Sequence, residues 1–255
     1  FLYPVLDHAA RARAEGQRGT KALLLYPMNA LANDQADRLA KLLANEPALA
    51  GVTAGIYTGE ATGNVKKVTA HSLITDREEM RLNPPDILLT NYKMLDQLLL
   101  RPKDREIWRK SATSLQYLVL DEFHTYDAAQ GTDVAMLLRR LGLMLKKYQP
   151  EEFLSPEDSK RPLGKVTPVA TSATLGDKSA ESAEGLEGAE GTGAESAAPH
   201  SDMLSFAYTV FGEQMPPAAV VGETLMTVEE WQSTVGPLVA KLRAVVSNDE
   251  DSSNS

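Results

Sequence analysis

YLVLDEFHTYD, residues 117–127, decides how the rest of the chain is read. Four apolar residues run into two adjacent carboxylates, then an aromatic, a histidine and a further acid. YLVL has the length and composition of a buried strand. Beyond it, Val134, Leu137, Leu138 and Leu141 stand at i, i+3, i+4 and i+7 and predict a helix. Asp121 and Glu122 thus fall at a strand tip. Alone, the stretch fits equally a strand whose tip holds a metal or a core strand ending in an acidic turn.

Working outward, the same alternation recurs. KALLLY (21–26), VTAGIYTG (52–59), DILLTN (86–91) and VTPVA (166–170) read as strands, the last weakened by Pro168. LANDQADRLAKLLA, with Leu31, Leu39, Leu42 and Leu43 at helical spacing, and MLDQLLL read as helices. Strands alternating with helices predict an α/β fold, a parallel sheet covered on both faces.

Composition limits the function classes. The 255 residues contain no cysteine, which removes disulfides and thiolate metal sites. No apolar run approaches the length of a membrane span, and a cytoplasmic setting without a membrane partner is the expectation. The net charge of −9 is unevenly spread. Residues 177–202 carry −6 and Asp249, Glu250 and Asp251 carry −3, so the remainder has no net charge. Residues 177–202 are mostly Ala, Glu, Gly and Ser, too little apolar area to offset their ordering entropy. They read as a disordered acidic insertion between a body (1–176) and an apolar return (203–246), with a disordered tail at 247–255.

In open α/β sheets, ligands bind beyond the carboxyl ends of the strands. Four segments share that position: Pro27–Asn29, Thr90–Asn91, Asp121–His124 and Thr171–Thr174. An Asp there suits Mg²⁺, which takes oxygen ligands and keeps several waters. A neighbouring Glu suits polarisation of a water attacking a γ-phosphate.

These four segments together resemble superfamily 2 DEAD/DEAH-box helicases, in their first RecA-like lobe. DEFH is similar to motif II, with Phe123 in the alanine position of DEAH. ATSATLG (170–176) resembles motif III, YPMNALANDQ (26–35) motif Ia and LLTNYKML (88–95) motif Ib. HTYDAAQGTDVAMLLRRL is similar to the segment after motif II in Lhr and YprA/MrfA-type DNA helicases. The resemblance implies a RecA-like (P-loop NTPase) sheet, ATP and Mg²⁺ as cofactors, and nucleic acid, DNA rather than RNA, as partner. It implies that Asp121 holds Mg²⁺ through water and that Glu122 and His124 are catalytic. Ser172, Ala173 and Thr174 would couple the nucleotide to the strand, which Pro27, Asn29, Gln35, Thr90 and Asn91 would contact. Lys66, Lys67, Arg77, Arg81 and Arg101 read equally as phosphate contacts or solvated surface charge.

One part of the pattern is missing. The Walker A run G-x-x-x-x-G-K-[ST], whose N–H groups and lysine cradle phosphates, does not occur; the sole Gly-Lys pair, Gly164-Lys165, is followed by Val166. FLYPVLDH resembles the helix that follows that loop, so the loop is expected upstream of Phe1, and a second RecA-like lobe elsewhere in a longer chain. The function expected is a nucleic-acid-dependent ATPase motor lobe of a DNA helicase or translocase, inactive as this piece alone. The alternative is a non-hydrolysing RecA-like module that binds nucleic acid or acts as a scaffold.

Overall fold

The protein is described from a computed structural model, which covers residues 1–59, 63–126, 128–172 and 201–222. In chain order the elements are α1 (Leu2–Ala14), β1 (Ala22–Tyr26), α2 (Asn29–Asn45), β2 (Ala54–Tyr57), α3 (Arg77–Leu82), β3 (Ile87–Asn91), α4 (Tyr92–Leu100), α5 (Arg105–Ser111), β4 (Tyr117–Leu120), α6 (Ala128–Tyr148), α7 (Pro156–Lys160), β5 (Thr167–Ala170) and α8 (Ser201–Phe211). Residues 223–246 of the apolar return, the acidic tail and nearly all of the acidic insertion lie outside the described residues.

The five strands form one parallel sheet in the order β2-β3-β1-β4-β5. The expected α/β, RecA-like architecture is the one observed. β1 is central, and all five of its residues are buried. This is what a run of ALLLY without alternation requires, because both faces of a parallel sheet are covered. Leu23, Leu25, Leu88, Leu118 and Leu120 face a core shared with α4, α5, α6 and α8. Leu24, Tyr26, Leu89 and Val119 face the other core, with α1 and α2. β5 tolerates Pro168 because it is the edge strand of the described sheet.

The register aligns the strand ends. Tyr57 pairs with Thr90, Leu25 with both Thr90 and Leu120, and Leu120 with Ala170. The next residues, Thr58, Asn91, Tyr26, Asp121 and Thr171, therefore stand side by side along one rim. At the opposite rim, Lys21, Thr53 and Asp86 immediately precede β1, β2 and β3.

The compact unit holding the sheet runs from Phe1 to Pro217 and includes α8. Residues 218–255 form a second unit, of which only 218–222 are described; a short 3₁₀ turn, Pro217–Ala219, leads into it.

Candidate nucleotide-hydrolysis site

The carboxyl end of β4 is held by β1 and β5. The Asp121 N–H donates to Leu25 O (2.9 Å), continuing the ladder one residue past β4. On the other side Thr171 N–H donates to Leu120 O (3.0 Å), and Phe123 N–H returns a bond to Thr171 O (2.7 Å). The Thr171 hydroxyl donates to the Asp121 carboxylate. DEFH and the start of TSAT are thus fastened through backbone and side chain together.

Between these anchors the chain turns sharply. Glu122 has φ +51°, the left-handed region, and is the one described non-glycine residue there. Its carbonyl accepts from both the N–H and the hydroxyl of Thr125, each at 2.8 Å, closing the 3₁₀ turn Phe123–Tyr126. An L-residue in this conformation costs about 1–2 kcal/mol, and such strain gathers where a side chain must be aimed. Glu122 and His124 come out half-exposed, with Nδ1 of His124 3.4 Å from the Glu122 carboxylate. The same nitrogen lies 3.0 Å from the Ser172 hydroxyl. Two links therefore join motif II to the fifth strand's end, Asp121–Thr171 and His124–Ser172.

Beneath the turn lie two buried phenols. Burial, and then the Asp121 carboxylate, pushes Tyr26 and Tyr126 far above the ordinary tyrosine range. The Tyr126 ring meets Tyr92 edge-on at 6.3 Å. Its hydroxyl finds no hydrogen-bond partner among the described residues.

Along the rim toward β3, Asn91 caps α4 by accepting from Met94 N–H (2.7 Å). It also donates to the Asn29 side chain (2.5 Å), tying the first residue of α2 to the N-terminus of α4. Pro27, Asn29 and Gln35 are half-buried. Thr90 departs from the expectation of a side chain facing a strand: it is fully buried and donates to Tyr57 O at 2.6 Å. Its place one residue inside the strand end spends the hydroxyl on the neighbouring strand. Ala173 and Thr174 lie outside the described residues.

The other cations are mostly engaged. Arg77 donates to Thr58 O (3.1 Å) and stands over the Tyr57 ring at 5.0 Å. Arg81 donates to the buried Asp104 (2.7 Å) and to Glu78 (2.8 Å). Arg101 donates to Gln97, and Lys66 lies 4.0 Å from Asp76. Thr171 stands fifty positions from Asp121, so its pairing with that carboxylate leaves no local trace in the sequence.

No three His, Asp or Glu side chains among the described residues could hold a metal ion together. Among the described residues the rim offers two adjacent carboxylates, Asp121 and Glu122, and Thr171 orients the first. That fits an ion held chiefly by phosphate oxygens and water, as Mg²⁺ is with nucleotides, and not a cage of protein ligands.

Against known proteins, the DEAD/DEAH box helicase family matches residues 1–183. The chain belongs to that family. Among curated relatives, Druantia protein DruE of Escherichia coli is 28% identical, covering 55% of this chain and 13% of its own length. An uncharacterized ATP-dependent helicase, YprA of Bacillus subtilis, is 28% identical over 58% of this chain and 17% of its own. The solved structure of the DUF1998 helicase MrfA bound to DNA and AMPPNP superposes with a TM-score of 0.54 at 22% identity. It covers 85% of this chain and 22% of that one, and shows the shared fold. The chain thus spans less than a quarter of the length of each. No described helix is long and apolar enough to cross a membrane.

Proposed function

We propose that this chain is the first motor lobe of a longer DNA helicase or translocase that couples ATP hydrolysis to movement along one nucleic-acid strand. The carrying observation is the double fastening of DEFH to TSAT, Thr171 to Asp121 and Ser172 to His124. It links the two carboxylates of the hydrolytic step to a second strand end. A phosphate-binding segment upstream and a second lobe downstream complete the machine. Residues 1–176 form the lobe proper, 177–202 are an insertion after it, and 203–246 are its C-terminal part or a connector.

Bound Mg·ATP supplies an electrophilic γ-phosphate whose charge the metal offsets. Asp121 would hold the metal through water, its carboxylate oriented by the Thr171 hydroxyl. Glu122, aimed outward by its left-handed backbone, accepts the proton of the attacking water. His124 reports the state of that carboxylate to Ser172, and Ala173 and Thr174 carry the signal onward. Asn29 and Asn91 present amide groups to the sugar–phosphate backbone, flanked by Pro27 and Gln35; Thr90 stiffens the platform beneath them. That MrfA is captured with DNA and AMPPNP in a structure sharing this fold supports the choice of DNA and a nucleoside triphosphate.

The test is the DNA-stimulated ATPase of the full-length protein. Glu122→Gln is expected to lower turnover by about 10²–10⁴-fold while Mg·ATP still binds. No DNA-stimulated turnover in the wild type would select the non-hydrolysing scaffold instead; unchanged turnover in the variant would remove Glu122 from its role.

A further inference from the structure

α8 rejoins the body after the insertion and lands on the motif II turn. Phe206 meets Phe123 with ring centroids 4.7 Å apart, and Phe211 lies parallel to Phe123 at 5.5 Å. Phe123 is the residue between Glu122 and His124, and it is wholly buried. Its ring is therefore held by two aromatics of a single helix.

The seat is shaped to admit them. Gly131 of α6 has no side chain where a Cβ would lie 3.1 Å from Phe206 Cε2 and collide with the carbonyl of Tyr126. α6 thus approaches the end of the 3₁₀ turn closely while the Phe206 ring fills the remaining gap. The far end of α8 is clamped separately. Arg139 donates to Val210 O (2.6 Å) and Thr209 O (3.3 Å), and just past the helix Arg161 pairs with Glu213 (2.7 and 3.1 Å).

We infer that Phe206 is a positioning residue for the hydrolytic turn: through Phe123 it holds the strained Glu122–His124 geometry in register with Thr171 and Ser172. Resting on the function proposed above, this makes the helix beyond the insertion part of the catalytic apparatus rather than a connector. Two features separate aim from packing. The aromatic contact falls on the residue flanked by Glu122 and His124, and the clamps on α8 do not pass through it. Loss of the Phe206 ring leaves α8 attached but lets Phe123 settle toward the vacated space. The carboxylate of Glu122 then swings off its line.

The experiment compares Phe206→Ala and the bulk-retaining Phe206→Leu with Val210→Ala, a fully buried α8 residue outside the aromatic group, in the full-length protein. Two quantities are read: kcat and KM of the DNA-stimulated ATPase, and amide hydrogen exchange at Phe123 and Thr125, whose N–H groups bond Thr171 O and Glu122 O. Phe206→Ala is expected to lower kcat by about 10- to 100-fold with KM for ATP within about twofold, and to speed exchange at both amides. Phe206→Leu should fall between it and the wild type. Val210→Ala should lower Tm without either change. If the Phe206 variants behave like Val210→Ala in kcat and exchange, the inference is wrong and the contact is packing alone. If the wild type hydrolyses no ATP, the functional proposal fails, and the exchange comparison alone decides whether Phe206 positions the turn.

Discussion

The two rims of the sheet carry polar residues in the same relation to the strands, yet they are built in opposite ways. At the amino rim Lys21 and Asp86 are wholly buried and joined at 2.7 Å. Asp86 also accepts from Thr53 N–H (2.7 Å), the Thr53 hydroxyl (2.8 Å) and Arg13 (3.4 Å), while Lys21 donates to Gln17 O (2.6 Å). The pair has its hydrogen bonds made and faces inward. At the carboxyl rim Asp121, Glu122 and His124 are half-exposed, the backbone is strained at Glu122, and the Tyr126 hydroxyl goes unmet among the described residues. A saturated, sealed polar cluster locks strands together. An unsaturated, open one leaves capacity for a ligand.

That contrast breaks most readily at the sealed rim. Asp86→Ala strands a buried ammonium and is expected to cost about 3–5 kcal/mol, read as the loss of unfolding free energy in urea. Replacing both partners, Lys21→Met with Asp86→Leu, should recover only part of it, because the Thr53 N–H and hydroxyl lose their acceptor. If the single variant costs under about 1 kcal/mol, as exposed pairs do, the amino rim is not the lock described.

The open rim should respond in the other direction. Glu122→Gly relieves a left-handed L-residue and is expected to raise stability by about 1 kcal/mol while abolishing turnover. A fall in stability would mean that the turn is not strained. Smallest is Tyr126→Phe, which deletes a buried hydroxyl without a described partner. Its Tm should stay level or rise slightly, since such a group keeps its desolvation cost. A clear drop in Tm would show that the hydroxyl has a partner after all.

The strands and the long helices were legible because period and composition report directly on burial. ALLLY, DILLTN and YLVL have one environment available to them, between two helical layers. The motif residues were legible as positions after strands. What they touch was not. Nothing in DEFH announces Thr171, and nothing in KALLLY says that its lysine is sealed against an aspartate sixty-five residues away. Side-chain pairing across a parallel sheet depends on strand order, and strand order leaves no periodic trace. Thr90 shows the same limit at shorter range: one residue along a strand end separates a hydroxyl facing a ligand from one spent on the neighbouring backbone. The short helices α3 and α5 went unread because six or seven residues hold too few turns to show a period.

The central place of β1 has a consequence in time. Its hydrogen-bonding partners lie far along the chain: Ala22 pairs with Ile87 on one side and with Tyr117 on the other. At a synthesis rate of roughly 5–20 residues per second, five consecutive apolar residues wait about 3–13 s for the first partner strand to be made, and longer for the second. During that interval a segment wholly buried in the finished sheet is left without its neighbours. It is where a chaperone would bind, and where a newly made chain is most exposed to aggregation.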